Sequence, residues 1–175
     1  MTGEEAGSEA RTRTVSWQDP APIAAAAASR SGIELLRDIA NGALPAPPFA
    51  NLLGVRLVTV ESGHATFEFV PAEFMYSPLQ TVHGGIVTTL LDSAMGCAFH
   101  TTLPAGVSYT TLELKVNFLR PVTLRVGPMR ADGRVVHAGN TIATAEGRLV
   151  DREDALYAHA STTLMVLRPR SAGGR

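Results

Sequence analysis

The sequence predicts an α+β domain in which one antiparallel sheet wraps around a single long helix. Three observations carry this. Two short alternating runs precede one long apolar segment, Gly84 to His100. Four longer strand-like runs follow that segment. The segment itself is apolar on most sides, which is the pattern of a buried helix and not of a surface one.

Each element has its own signal. Residues 1–20 are small and polar and end at Asp19-Pro20, so residues 1–30 are expected to form a disordered or loosely helical tail. Ala24 to Ala28 favours helix by propensity but offers no large apolar face. Residues 31–48 are expected to hold a short helix and a linker. Ile33, Leu35, Leu36 and Ile39 recur at helical spacing, Asn41-Gly42 stops the helix, and Pro45 to Pro48 reads as extended. The main domain is expected over 49–168, with a polar tail over 169–175. In its first strand Val55, Leu57 and Thr59 face one side and Arg56, Val58 and Val60 the other. Glu61-Ser62-Gly63 turns the chain into His64 to Val70, where Ala65, Phe67 and Phe69 alternate with polar neighbours, so the pair reads as a hairpin. After the helix come Ser108 to Phe118, Val126 to His137, Thr141 to Asp151 and Leu156 to Leu167. One sheet cannot cover a helix that is apolar on most sides, so the leftover surface predicts a partner chain.

Composition narrows the function. The chain has 175 residues, 15 Lys plus Arg against 16 Asp plus Glu, and a formal net charge of −1. A nucleic-acid binder held by bulk charge would show a basic excess, and none is expected as partner. The single cysteine, Cys97, excludes an internal disulfide and a multi-cysteine zinc site. His64, His100, His137 and His159 show no ligand-like spacing, so no metal is expected. The acidic start Met1-Thr2-Gly3-Glu4-Glu5 lacks the basic opening of a secretory signal, and no run approaches the roughly 20 apolar residues of a membrane span. The expectation is a cytoplasmic protein that does not enter the membrane.

The chemistry gathers on the long helix. Thr81-Val82-His83-Gly84-Gly85 opens it. Two glycines there leave backbone N–H groups open at the positive end of the helix dipole, a good place for negative charge developing on oxygen. The same pair also suits a plain tight turn. Asp92 lies mid-helix between Leu91 and Ser93. A buried, unpaired carboxylate costs several kcal/mol, so Asp92 either performs chemistry or bonds Thr88, Thr89 or a neighbouring strand. Helical spacing puts Gly85, Thr89, Asp92 and Gly96 on one polar stripe, beside a drier stripe of Ile86, Leu90, Ser93 and Cys97. Asp92 is eight residues beyond Gly84, roughly 12 Å along the axis. A carboxylate cannot reach a carbonyl held at its own helix start, so if both groups act together they come from two antiparallel helices of different chains. His83 reads as a local hydrogen-bonding or positioning residue. Tyr109-Thr110-Thr111 either face a cleft or merely suit a strand, and Cys97 reads as a core residue.

The combined pattern resembles the hot-dog fold acyl-CoA thioesterases of the phenylacetyl-CoA thioesterase type. The matching residues are Thr81 to Gly85, Leu90-Leu91-Asp92, Thr110 to Leu114, Val116 to Pro121, Val135 to Gly139 and Ala145 to Leu149. The resemblance spans roughly residues 33–167. It implies a hot-dog fold and hydrolysis of an acyl-CoA thioester to free acid and CoA. It implies a carbonyl polarised by the N–H of Gly84, a base or nucleophile in Asp92 of the partner chain, and Thr111 positioning water or carboxylate. His83 and Ser77 complete the expected catalytic group. Gly85, Thr89, Thr110, Arg120 and Arg134 are expected to bind substrate. CoA is part of the substrate, so no cofactor is implied, and a homodimer is required, with a homotetramer open to it.

This chain departs from the family pattern at three places. Ser77 stands where the family usually has Asn, and Gln80 where Gly is common. Asn140-Thr141 follow Gly139 where Arg or Lys is frequent, which moves phosphate anchoring to Arg120 and Arg134. These departures motivate an alternative, a hot-dog module that binds acyl-CoA as sensor or carrier without hydrolysing it. The hydratase branch of the fold fits poorly, because it pairs an Asp with a His five residues later and here that position is Cys97.

Overall fold

The computed structural model describes residues 9–169. The expectations for residues 1–8 and 170–175 lie outside the described residues. The elements run α1 Ala21–Ala27, α2 Gly32–Ala40, α3 Pro48–Leu53, β1 Arg56–Glu61, β2 His64–Phe69, α4 Gly84–His100, β3 Ser108–Phe118, β4 Met129–Ala138, β5 Ile142–Val150 and β6 Leu156–Leu167. The six strands form one antiparallel sheet in the order β1-β2-β4-β5-β6-β3. This is the hot-dog arrangement, with α4 packed along the sheet.

The contact between α4 and the sheet explains the apolar helix. Leu90, Leu91, Ala94, Met95 and Ala98 are wholly buried, and α4 packs chiefly on β2, β4 and β5. Two glycines bring it that close. Gly133 on β4 is paired with Gly147 on β5. A Cβ on Gly133 would stand 2.2 Å from the carbonyl oxygen of Ala94, and one on Gly147 would stand 3.1 Å from Met95. The sheet carries no side chain where the helix backbone lies on it.

Some elements differ from the sequence expectation, each for a local reason. Pro48 does not extend a linker but is the first residue of α3, where its missing N–H costs nothing. The register of β1 shifts between Leu57 and Thr59. A β-bulge there turns Val60 inward and leaves Thr59 opposite Thr66 on the outer face, so the simple alternation fails after Leu57. The fourth strand starts at Met129 and not at Val126, because Leu124–Val126 closes into a 3-10 turn before Gly127.

The N-terminal helices are anchored to the domain. In α2 Glu34 accepts hydrogen bonds from the backbone N–H and the hydroxyl of Ser31 at 2.9 and 2.6 Å, a capping box. Gly32 donates to the carbonyl of Leu103 at 3.0 Å. A Cβ on Gly32 would overlap the carbonyl oxygen of His100, so α2 sits directly on the end of α4.

Candidate active site

The open face of α4 is a narrow seam of small and polar side chains. Thr88 and Thr89 donate their hydroxyls to the carbonyls of Gly84 and Gly85, both at 2.9 Å, and Ser93 donates to Thr89 at 2.7 Å. These hydroxyls satisfy the helix four residues back, as short polar side chains do mid-helix. Thr89, expected to bind substrate, therefore has its proton directed into its own helix.

Asp92 is the exception on this seam. Its carboxylate accepts a hydrogen bond from the hydroxyl of Thr111 on β3 at 2.9 Å. The structure thus brings together two residues that the family resemblance linked. A bulge in β3 between Thr111 and Glu113 follows directly, re-aiming the strand where Thr111 meets the helix. Thr110 stands on the opposite, exposed side of β3, away from Asp92. Gly96, placed on the polar stripe by spacing, is covered: the hydroxyl of Tyr109 would lie 2.5 Å from a Cβ there. Leu90 is wholly buried, so the drier stripe is split between sheet and cleft.

The helix start is built as a cap. His83 is the N-cap, and its Nδ1 accepts the N–H of Gly85 at 2.9 Å. An accepting Nδ1 puts the ring proton on Nε2 of the neutral imidazole. Gly85 is therefore engaged within the chain, and Gly84 stands as the helix's first N–H, a position without an intrahelical partner. The ring of Phe118 lies 3.2 Å from where a Cβ of Gly84 would be, so the position is tight and an apolar surface flanks the helix start. Sequence reasoning missed Phe118, although its place at the end of the strand carrying Thr111 is a usable signal.

Ser77 sits in the turn before the helix. Its backbone N–H donates to the carbonyl of Thr81 at 2.7 Å, and its hydroxyl accepts from the N–H of Leu79 at 3.3 Å. Gln80, two residues before the isolated bridge partner Val82, adopts φ +57°. That is the left-handed region where glycine is at ease, which explains why Gly suits this position.

The two arginines part company. Arg120 lies two residues beyond Phe118, with its guanidinium 5.9 Å from the ring centre of Tyr157. Arg134 lines the outer face of the sheet with Asp132, Glu146 and Arg148, and the sheet separates it from Asp92 of its own chain.

A cleft of about 650 Å³ opens from Asp92. Asp92, Ser93, Cys97, Tyr109 and Thr111 line one part of it, and the rest is lined mainly by residues from α2, the stretch between α2 and α3, α3, β1 and β2. Burial pushes the Cys97 thiol up to about 12, with the charge of Asp92 adding to the rise. Cys97 is thus a neutral wall and not a nucleophile. Burial also raises the Tyr109 phenol well above its ordinary range, reinforced by Cys97 and Asp92. Among the described residues no cluster of His, Cys, Asp and Glu is placed to hold a metal ion, and no helix is long and apolar enough to cross a membrane.

Known proteins are similar to this chain in sequence and fold. The profile of the thioesterase superfamily matches residues 79–158, which hold α4, β3, β4, β5 and the first residues of β6. A Saccharolobus solfataricus protein named as an esterase is 31% identical over 118 residues, covering 67% of this chain and 82% of its own length. The chain belongs to the thioesterase superfamily. It is a thioester hydrolase by that membership. This thioesterase is also 28% identical over 137 residues to the medium/long-chain acyl-CoA thioesterase YigI of Escherichia coli, a match covering 68% of this chain and 85% of YigI. Its fold is shared with the Escherichia coli PaaI protein of the phenylacetic acid degradation operon. The TM-score is 0.68 at 20% identity, covering 79% of this chain and 96% of the other.

Proposed function

We propose that this thioesterase hydrolyses acyl-CoA to free acid and CoA in a site shared by two copies of the chain. The observation that carries the reading is the hydrogen bond from Thr111 to Asp92 on the wall of the cleft. Thr111 directs one oxygen of the carboxylate and leaves the other for a water or a thioester carbon. The carbonyl oxygen lies against the N–H of Gly84 of the partner copy, where the helix dipole and an open donor favour the charge that develops on it. His83 holds the first turn in shape and offers Nε2–H at its outer edge. In the base route Asp92 takes a proton from water as hydroxide adds to the carbonyl carbon, and the C–S bond then breaks. The thiolate of CoA is a good leaving group and needs no strong acid.

Two features support the shared site. Gly84 and Asp92 of one helix are roughly 12 Å apart along its axis. The eleven-residue β3 lies at an edge of the sheet with Leu112 52% and Phe118 56% exposed. A long exposed edge strand is a template for pairing with a second copy. Pairing β3 with its counterpart would lay the two α4 helices antiparallel and bring each Asp92 toward the other Gly84.

The test is thiol release from a panel of acyl-CoAs by the parent and Asp92→Asn. The substitution keeps the hydrogen bond from Thr111 but removes the base. A fall in kcat of about 10²–10⁴-fold is expected, with a melting temperature within about two degrees of the parent. Turnover within a few-fold of the parent would refute the role of Asp92. Tight acyl-CoA binding with no thiol release from the parent would instead favour the non-hydrolysing carrier.

A further inference from the structure

We infer that the segment from α2 to α3 is the far wall of an acyl chamber, and that Ile39 sets how long an apolar acyl chain the enzyme accepts. The inference rests on the proposed acyl-CoA hydrolysis and names the substrate class of that site, an acyl group of medium to long chain or comparable apolar bulk. The α2–α3 segment lies outside residues 79–158, the part matched by the superfamily profile.

The cleft lined by Asp92 and Thr111 is also lined by Leu57 and Phe67 of the hairpin and by Leu36, Ile39 and Phe49 of the N-terminal segment. Its volume of about 650 Å³ falls mid-range for pockets that enclose sizeable ligands, about 300–1,000 Å³, and far exceeds what a two-carbon acyl group fills. The charge on its wall points the same way. Arg56 also lines the cleft, but its guanidinium is paired with Glu68 at 3.2 Å. Among the described residues of its lining Arg56 is the one cation, so the acyl end of the substrate enters and the nucleotide stays outside.

The wall is rigid. α2 is held by its capping box and by the seat of Gly32 on the end of α4. Its exit is fastened by the N–H of Leu44 on the carbonyl of Asp38 at 2.9 Å and the N–H of Ala43 on the side chain of Asn41 at 3.0 Å. Pro45 and Pro47, also on the cleft, fix their own backbone angles. A wall held this way discriminates by size and does not adapt to each substrate. Each methylene that finds apolar surface in the chamber raises kcat/KM by about threefold to fourfold, until the chain meets Ile39.

The experiment compares butyryl-, octanoyl-, dodecanoyl- and hexadecanoyl-CoA with the full-length protein and two variants of opposite sign. In Ile39→Trp the ratio of kcat/KM for dodecanoyl- over butyryl-CoA should fall at least about tenfold. In Ile39→Ala the ratio for hexadecanoyl- over dodecanoyl-CoA should rise, and this variant carries the test alone if the tryptophan does not fold. A parent without chain-length preference, or ratios unmoved by both changes, would overturn the inference while leaving hydrolysis intact. Binding of the non-hydrolysable thioethers S-butyl-CoA and S-dodecyl-CoA, followed by calorimetry, separates the two ideas. If no thioester is cleaved but the S-dodecyl preference is present and shrinks in Ile39→Trp, hydrolysis fails and the chamber stands.

Discussion

The two faces of α4 are built from the same stretch of sequence and serve opposite ends. One face is dry, flush with the sheet, and made close-packed by removing side chains from the partner strands at Gly133 and Gly147. The other keeps a carboxylate half-open beside a cleft and ties its spare hydroxyls back into the helix. Asp92 follows Leu91 directly, so one residue of helical rotation separates a wholly buried leucine from the candidate catalytic group. Packing and chemistry are therefore separable by substitution even between neighbours. The loss of activity expected for Asp92→Asn, without loss of stability, is the first half of that comparison.

The second half is Leu91→Ala. Leu91 is wholly buried and packs toward Gly147, where no side chain can move in to fill the gap. The cost should be about 2–5 kcal/mol, read by urea denaturation as a lower midpoint with an unchanged slope. Below the new melting temperature kcat should stay within a few-fold of the parent. If Leu91→Ala lost turnover as Asp92→Asn does while remaining folded, the two faces would not be independent.

The dry face was far more legible in the sequence than the open one. Gly84 to His100, Ser108 to Phe118 and Leu156 to Leu167 match their expected bounds, because hydrophobic periodicity and turn residues mark long elements strongly. The bulge after Leu57 was not legible, since alternation alone cannot show an extra residue in a ladder. Nor was the cleft. It is assembled from α2, a proline turn, two strands and α4, and no spacing rule links Ile39 to Asp92. The pairing of Thr111 with Asp92 came within reach only as an implication of the family resemblance. Which side of the sheet Arg134 and Thr110 occupy was not legible either: Arg134 lies across the sheet from Asp92 of its own chain and Thr110 on the outer side of its strand. Gln80 departs from the family pattern, but residue type alone does not show its left-handed backbone.

A smaller effect probes how the open face is held. Thr111→Val keeps the shape of the side chain and removes the hydroxyl that bonds Asp92. A hydrogen bond to a charged group contributes about 1.5–3 kcal/mol, so kcat should drop about 10-fold to 100-fold, with KM changed less. Thr111→Ser should recover most of the loss, because it restores the donor. A uniform loss in both variants would mean that Thr111 serves packing, as the other face does, and not the carboxylate.

The smallest effect lies at the end of α4, where the two faces meet the N-terminal segment. His100 packs edge-on to Tyr109 at 5.6 Å and lies beneath Gly32. Burial lowers its pKa below the ordinary 6.5. A buried imidazole with a lowered pKa prefers to be neutral in the folded protein, so the unfolded chain binds the proton more readily. Its contribution to stability is therefore fully present above about pH 6.5 and is lost as the pH falls through the lower folded value. The parent should lose melting temperature between pH 7 and pH 5, and His100→Asn should lose less, since the variant removes the titrating ring and leaves every carboxylate in place. The difference between the two curves isolates His100 from the rest of the chain. Parallel curves would show that the ring escapes its burial on protonation and that α2 is not clamped to α4 there, which would also loosen the wall on which the chain-length argument depends.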